Sequence, residues 1–285
     1  VHPGVAACLD SLTTVYLQRD EIAKAEAAAR RALAIHRALG SENDPASAES
    51  LNGLAMALFA KGDFAAAEPL LQESLRIRRQ HFGRDDPQNV TILSKLGGLR
   101  RQRGDLASAE SAYREAVSLA RRVCGPAHPK TAHVLGNLAV LLTQRGDLAG
   151  AEATYREALA VAHRAFGEEH PSIALKLGNL ASVLVDRGRW VEAESMYRQA
   201  LAMERKLVGS GGAHEAVILN NLADLQALKG DRGAARPLYE EALRIVRKLY
   251  GEEHFRVADQ LANLARLLTD QSELIDVAQN SEHRD

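Results

Sequence analysis

The chain lacks an excess of charge of either sign, and it lacks any long apolar run. Among its 285 residues, 36 basic side chains nearly balance 37 acidic ones, which argues against a general binder of nucleic acid or of acidic membranes. No apolar stretch is long enough to cross a bilayer, and no signal-peptide pattern is present. We therefore expect a cytoplasmic protein that has neither nucleic acid nor a membrane as its partner.

A glycine recurs every 42 residues, at Gly62, Gly104, Gly146, Gly188 and Gly230. The residues around each glycine recur as well: Gly136-Asn137-Leu138-Ala139 returns as Gly178-Asn179-Leu180-Ala181. So long a period indicates a repeat array rather than a single globular core. Because the repeats fill the whole chain, no separate catalytic domain is expected, and binding is favoured over enzymatic activity.

Each copy contains two helix patterns. The first begins at a proline, a residue that suits the first helical position, and these prolines are Pro45, Pro87, Pro129 and Pro171. Asp44 and Asp86 precede two of them as good N-caps, whereas His128 and His170 fill the same place less well. The glycine ends the first helix, and the second helix of the fourth copy is predicted to run from after Asp147 to about Phe166.

Two apolar positions recur in these helices. The first helix carries a leucine in every copy: Leu12, Leu54, Leu96, Leu138, Leu180, Leu222 and Leu264. The second helix carries a small residue: Ala25, Ala67, Ala109, Ala151, Ala193 and Ala235. Neither helix can bury its apolar face alone, so stacking of the repeats is expected to form one continuous core.

The period alone leaves tetratricopeptide, HEAT and armadillo repeats open. The order Leu138-Ala139, Leu142, Gly146, Ala151, Tyr155, Ala158-Leu159 resembles the tetratricopeptide pattern. The 42-residue unit resembles that of kinesin light chain and its bacterial relatives, and the Arg- and Ala-rich composition is typical of a GC-rich bacterial source. The resemblance implies an all-α, right-handed α-solenoid of stacked helix-turn-helix units.

We predict a tetratricopeptide array over residues 1–271. Its repeats are expected at about 3–43, 45–85, 87–127, 129–169, 171–211 and 213–253, with a partial repeat at 255–271. Residues 272–285 are expected to form a short capping helix and a polar tail. Because His2-Pro3 is in register with the later His-Pro pairs, we interpret the chain as an excerpt or a mature chain whose upstream part is missing. The glycine-rich junction 209–214 is either a hinge or an ordinary variable loop.

The two cysteines, Cys8 and Cys124, occupy positions that are apolar in other repeats. Their repeats are not neighbours, so a disulfide bond between them is not expected. We predict two buried free thiols, which suit a reducing compartment.

Asparagines recur at one position of the first helix, which we call the asparagine position. It holds Asn137, Asn179, Asn221 and Asn263, and the residue directly before it, the preceding position, holds Asn52 and Asn220. The resemblance implies that first helices line a concave groove in which such amides contact the backbone of a bound peptide. The alternative is that each amide bonds a neighbouring helix or a loop carbonyl.

Other residues predicted to face the groove differ between repeats, as a selective surface requires. Lys95, Arg101 and His133 form a modestly basic stretch, and Ser182 is among the variable polar residues. Asp186, Asp224, Asp259 and Asp270 form a later acidic stretch. A ligand with a negative part followed by a positive part would match this gradient, and the alternative is solvated charge without a ligand.

Several other functions find no support in the pattern. The preceding position holds no lysine, so a clamp for a C-terminal carboxylate is not expected. Basic residues before each glycine resemble a phosphate-binding stripe, but cations at helix C-termini have a simpler explanation in the helix dipole. The histidines form no metal-ligand set and no catalytic group converges, so we expect no metal, no cofactor and no enzyme.

The sequence therefore predicts a scaffold that holds a protein or peptide partner in its groove. The alternative is a structural or weakly self-associating module of a larger multidomain signalling protein, such as a kinase or an ATPase.

Overall fold

The computed structural model describes the backbone of residues 2–282 and the side-chain environments of residues 2–269. Over residues 2–282 the chain forms thirteen α-helices and no strand. The helices are α1 (Pro3–Gln18), α2 (Ile22–Ala38), α3 (Pro45–Lys61), α4 (Phe64–Phe82), α5 (Pro87–Gln102), α6 (Leu106–Val123), α7 (Pro129–Gln144), α8 (Leu148–Phe166), α9 (Pro171–Asp186), α10 (Trp190–Leu207), α11 (Ala213–Leu228), α12 (Arg232–Tyr250) and α13 (Phe255–Glu282).

The chain divides into two compact units, Val1–Ala165 and Phe166–Asp285. In the first unit, α2 packs against α1 and α3, α4 against α3 and α5, and α6 against α5 and α7. In the second unit, α10 packs against α9 and α11, and α12 against α11 and α13. Each of these even-numbered second helices therefore lies between two odd-numbered first helices. The predicted all-α class and tandem helix pairs are confirmed, and the hand of the stack stays a prediction.

The ends of the first helices follow the predicted chemistry. Pro45, Pro87, Pro129 and Pro171 each begin a helix. His128 and His170 cap their helices better than expected, because each Nδ1 accepts a hydrogen bond of 3.1 Å from a backbone N–H two residues later. Asp86 caps α5 in the same way, at 3.0 Å from the Gln88 N–H. The cap predicted for Asp44 is wrong: its side chain accepts no such bond, and Ser47 Oγ donates to the Asp44 carbonyl instead.

The recurring glycine takes the left-handed conformation that side chains disfavour. Its φ angle lies between 73° and 87° at Gly62, Gly104, Gly146, Gly188 and Gly230. In the first repeat, Asp20 stands at the equivalent position with a φ of 59°. The turn between the two helices therefore requires this conformation even where glycine is absent, which explains why the period is so visible in the sequence.

The two recurring apolar positions form the core. All six alanines of the second helices have no exposed surface, so the helices approach closely there. Leu54, Leu96, Leu138, Leu180 and Leu222 are buried, Leu264 is half-buried, and Leu12 is 42% exposed. The leucine position is thus part of the core in the inner repeats, whereas α1 leaves it open.

We expect Leu138→Ala or Leu180→Ala to lower the free energy of unfolding by about 2–5 kcal/mol, because truncating a buried leucine leaves a cavity. Leu12→Ala is the matched control, and its effect should be much smaller because its side chain is already exposed. Urea unfolding followed by circular dichroism measures all three. An unchanged midpoint for both inner variants would contradict the assignment of these leucines to the core.

Both thiols are free, as predicted, but their predicted burial is wrong. Cys8 is exposed and Cys124 is half-buried. The equivalent of Cys8 in the fourth repeat is Val134, which is 1% exposed because α6 packs on α7. The corresponding face of α1 lacks such a cover among the described helices.

The C-terminal segment differs from the expected separate capping helix. One helix, α13, runs from Phe255 to Glu282. No glycine or proline lies between these residues, so nothing in the local sequence ends the helix near residue 272. The last residues of the expected polar tail, 283–285, lie outside the described residues.

The glycine-rich junction before α11 is held by side chains. The carboxylate of Glu215, which has no exposed surface, accepts hydrogen bonds of 2.5 Å from the Gly211 N–H and from Arg205 Nε. His214 Nδ1 lies 3.0 Å from the Glu204 carboxylate. Three contacts across so short a segment favour an ordered variable loop over a hinge.

One core position of α9 carries a charge. Lys176 is 4% exposed, whereas its equivalents in three other repeats are the buried apolar residues Ile92, Val134 and Ile218, and in the second repeat the buried but uncharged Ser50. Its Nζ donates a hydrogen bond of 2.7 Å to Ser172 Oγ. Burial lowers the pKa of Lys176 to about 8, because the charged form loses its hydration.

A lowered pKa in the folded state makes stability rise with pH, since the unfolded chain binds the extra proton between about pH 8 and the ordinary lysine pKa near 10.5. We expect Lys176→Met to be more stable than the wild type below pH 8, and this advantage to shrink by roughly 2–3 kcal/mol as the pH rises to about 10.5. Chemical unfolding at a series of pH values measures the difference. If the free energies of unfolding of the two proteins change with pH in parallel, the ammonium of Lys176 does not lose its hydration in the folded state.

Candidate functional site

The predicted binding residues lie on the first helices. Asn52 is on α3, Lys95 and Arg101 on α5, His133 and Asn137 on α7, Asn179 and Ser182 on α9, Asn220, Asn221 and Asp224 on α11, and Asn263 on α13. All six asparagines are half-buried. The hydrogen bonds of the predicted binding residues show which of these residues link neighbouring repeats and which remain available to a ligand.

In the first unit, polar side chains bond between neighbouring first helices. Lys95 Nζ donates to Asn52 Oδ1 at 2.9 Å, and Asn137 Nδ2 donates to Ser94 Oγ at 3.1 Å. Both bonds join residues 43 positions apart, so the asparagine position of one repeat meets the preceding position of the repeat before it. His133 lies beside this contact, with its Nε2 3.3 Å from Asn137 Nδ2.

The second unit contains the same contact. Asn263 Nδ2 donates to Asn220 Oδ1 at 2.9 Å, again over 43 residues. Asn220 in turn donates to Asp224 at 2.9 Å. Asn52, Asn137, Asn220 and Asn263 therefore link neighbouring first helices, which is the alternative that the sequence left open.

Asn221 has a glycine where the partner side chain would stand. The residue 43 positions before it, in the same unit, is Gly178. Within residues 2–269, the Asn179 side chain makes no hydrogen bond. Burial raises the pKa of the Tyr197 hydroxyl to about 12, and Ser182 Oγ lies 2.7 Å from this hydroxyl. Within the described residues, the Asn179 amide is thus available to another molecule.

Exposed apolar side chains lie one helical turn before these two amides. Leu175 precedes Asn179 on α9 and is 47% exposed, and Val217 precedes Asn221 on α11 and is 46% exposed. Residues four apart share one face of a helix. Each helix therefore presents an aliphatic side chain next to an amide, which is a surface suited to a peptide with both backbone and apolar contacts.

The predicted charge gradient is largely engaged within the chain. Burial lowers the pKa of Lys95, whose ammonium bonds Asn52, and Arg101 donates to Gln144 at 3.3 Å. Asp224 accepts from the Tyr239 hydroxyl and lies 3.5 Å from Arg266. Asp186 and Asp259 are exposed, and the side chain of Asp270 lies outside the described residues. These contacts limit what Lys95, Arg101 and Asp224 can offer to a ligand.

Sequence reasoning missed a link between the basic residues before each glycine and the glutamates of the second helices. Lys61 pairs with Glu26 at 3.0 Å, and Lys229 with Glu194 at 2.6 Å. Arg103 pairs with Glu68, and Arg145 with Glu110. Each pair spans 35 residues and joins adjacent repeats. The constant offset of 35 residues between the basic position and the glutamate position could have indicated this pairing from the sequence. The ion pairs explain the basic residues before each glycine without a phosphate ligand.

Tandem helix pairs, a left-handed residue between their helices and alanine contacts at their crossing define a helical-repeat protein. The chain belongs to the tetratricopeptide repeat family, whose sequence profile matches residues 5–80, 47–122, 88–164, 131–206, 172–248 and 214–280. Among curated proteins, none matches the chain in a sequence comparison.

Several solved structures are similar to this chain. BtubC (BKLC) from P. vanneervenii is 27% identical, with a TM-score of 0.70 over 81% of this chain and 92% of BtubC. A putative kinesin light chain of Podospora anserina with nearly identical TPR-like repeats is 21% identical, with a TM-score of 0.64 over 74% of this chain and 99% of that chain. A chain of the APC/C hetero-tetramer Cut9–Hcn1 is 18% identical, with a TM-score of 0.67 over 94% of this chain and 44% of that one.

These comparisons confirm a tetratricopeptide protein of the kinesin-light-chain-like type. Such folds are typically non-catalytic scaffolds for protein–protein interaction, and this chain is a scaffold of that general class. Within the part of the chain that the structure describes, no helix is both long and apolar enough to cross a membrane.

Proposed function

We propose that the chain binds an extended peptide segment of a protein partner along its first-helix face, in the cytoplasm. In the second unit the contacts would centre on α9 and α11. The Asn179 amide, which makes no hydrogen bond within residues 2–269, is the observation that carries the proposal. Because no residue of the described chain uses this amide, a ligand can bond to it without breaking an internal hydrogen bond.

The chemistry of this face suggests how a peptide would be held. Asn179 and Asn221 can each donate to a backbone carbonyl and accept from a backbone N–H. Leu175 and Val217 can cover an apolar side chain of the partner, which would supply most of the binding energy. The amides fix the peptide backbone and the aliphatic residues select the side chain.

The partner is identified by pull-down with the whole chain, followed by peptide mapping of the bound region. We expect the double variant Asn179→Ala, Asn221→Ala to weaken binding of the mapped peptide by about 5–150-fold, from the loss of about 1–3 net kcal/mol of hydrogen bonding. Fluorescence anisotropy with a labelled peptide measures the affinity.

Asn137→Ala is the matched control for this experiment. Its amide already bonds Ser94, so removing it should lower stability without a comparable loss of affinity. Circular dichroism verifies that each variant is folded. Unchanged affinity in a folded Asn179, Asn221 double variant would remove the basis of the proposed site.

A further inference from the structure

A cleft opens between α2 and α4, the second helices of the first two repeats. Both helices pack on α3, whose leucines form the floor of the cleft. Its volume is about 620 Å³, which is within the range of cavities that hold small molecules. We call it the α2–α4 cleft, and its apolar lining consists of Leu33 on α2, Leu51, Leu54 and Leu58 on α3, and Ala66 and Leu70 on α4.

One buried polar atom in the wall of this cleft has no partner. His36 on α2 lines the cleft and is 4% exposed, and among the described residues none hydrogen-bonds its Nε2. Buried polar atoms of proteins are nearly always hydrogen-bonded. A molecule in the cleft can therefore bond to Nε2 without displacing an internal partner.

The other ring nitrogen of His36 determines which group Nε2 can bind. Nδ1 lies 3.1 Å from Ser41 Oγ, and the Ser41 hydroxyl donates its one proton to the His36 carbonyl at 3.3 Å. The Ser41 oxygen then accepts from Nδ1, so the neutral ring carries its proton on Nδ1 and a lone pair on Nε2. The ligand group that fits this lone pair is a hydroxyl or N–H donor.

A second cleft in the same unit shows what is particular to the first. It lies between α6 and α8, has a volume of about 580 Å³, and is lined by Leu135 and Leu138, the equivalents of two floor leucines of the α2–α4 cleft. Ala120, which has no exposed surface, stands at the position of His36. Because the shape recurs between inner helices, it does not arise from the position of α2 in the chain. The α2–α4 cleft adds a buried acceptor to it.

The charged residues at the edges of the two clefts also differ. Arg121 pairs with Glu157, 36 residues later, across the second cleft. Within residues 2–269, the equivalent Arg37 and Glu73 do not pair with each other: Arg37 lies 4.0 Å from Glu42, and Glu73 pairs at 2.6 Å with an arginine three residues later. A neutral ligand can therefore enter the α2–α4 cleft without leaving a charge unpaired.

We propose that the α2–α4 cleft binds a neutral, apolar small molecule that carries one hydroxyl or N–H donor. The leucines cover the apolar body of this molecule and supply most of the affinity. Its donor bonds His36 Nε2, which fixes its orientation and selects it over molecules that lack the donor. This site lies on other helices than the peptide site proposed on α9 and α11, so either proposal can fail without the other.

Indole and indene are matched probes for this proposal, because they share size and shape and differ in one N–H group. The whole chain is titrated with each probe and followed by proton–carbon correlation spectra of the leucine methyl groups. We expect indole to shift the methyl resonances of the cleft leucines and to bind at least about fivefold more tightly than indene, since indole alone makes the hydrogen bond. The nitrogen resonance of His36 Nε2 should move with indole and not with indene.

His36→Ala removes the acceptor from the cleft. The variant should fold, because Ala120 and Ala162 stand at this position in the third and fourth repeats and have no exposed surface. We expect it to bind indole at least about fivefold more weakly than the wild type, and no more tightly than it binds indene. Ser118→Ala is the matched control: it removes a polar group from the second cleft and should leave both affinities unchanged.

Equal binding of the two probes to the wild type would overturn the proposal, as would cleft methyl resonances that indole does not shift. Shifts of equal size at Leu135 and Leu138 would also overturn it, because His36 would then not select the site. Circular dichroism verifies that each variant is folded. If His36→Ala does not fold, the two probes and the His36 nitrogen resonance decide the question on the wild type.

Discussion

The packing of a second helix between two first helices, seen for α2, α4, α6, α10 and α12, is the interaction on which the structure depends. It works because the second helices carry alanine where they cross, and all six of these alanines have no exposed surface. The close approach lets the leucines of the inner first helices become buried, and neither helix could achieve this alone. The contrast between Leu138, which is 6% exposed, and Leu12, which is 42% exposed, shows that burial comes from the neighbouring repeat and not from the residue itself.

Polar contacts then fix how neighbouring repeats are aligned. Bonds across 43 residues join first helices, and ion pairs across 35 residues join a second helix to the first helix of the next repeat. Exposed ion pairs contribute little to stability individually, so their role is chiefly to specify the alignment. The half-buried amides matter more, since breaking one of their bonds leaves a desolvated group.

The same alignment suggests where a ligand would be recognised. A repeat with a side chain at the preceding position uses its neighbour's amide as an internal link, whereas a repeat with glycine there leaves the amide available. Gly178 therefore has a consequence for Asn221 that is not evident from either residue alone. The exposed Leu175 and Val217 add the apolar contacts that hydrogen bonds to a peptide backbone would not provide.

The period, the helix starts at proline, the left-handed glycines and the identity of the core positions could all be predicted from the sequence. Each is a local property or one that recurs at a fixed spacing, and the second helix of the fourth repeat spans the predicted residues Leu148–Phe166. The exposure of Cys8 could not be predicted in this way, because the pattern treats all copies as equivalent while no described helix covers this face of α1. The uninterrupted length of α13 was missed because a fading repeat pattern does not by itself end a helix.

The partners of the asparagines were decided only by the tertiary structure. The sequence determined that amides would recur along the first helices, but it left open whether they serve a ligand or the scaffold. Which of these applies depends on the side chain that the neighbouring helix places within about 3 Å of each amide, and that depends on the offset between packed helices. The sequence by itself therefore determined the repeating unit, while the packing of one unit on the next decided which polar groups are satisfied within the chain.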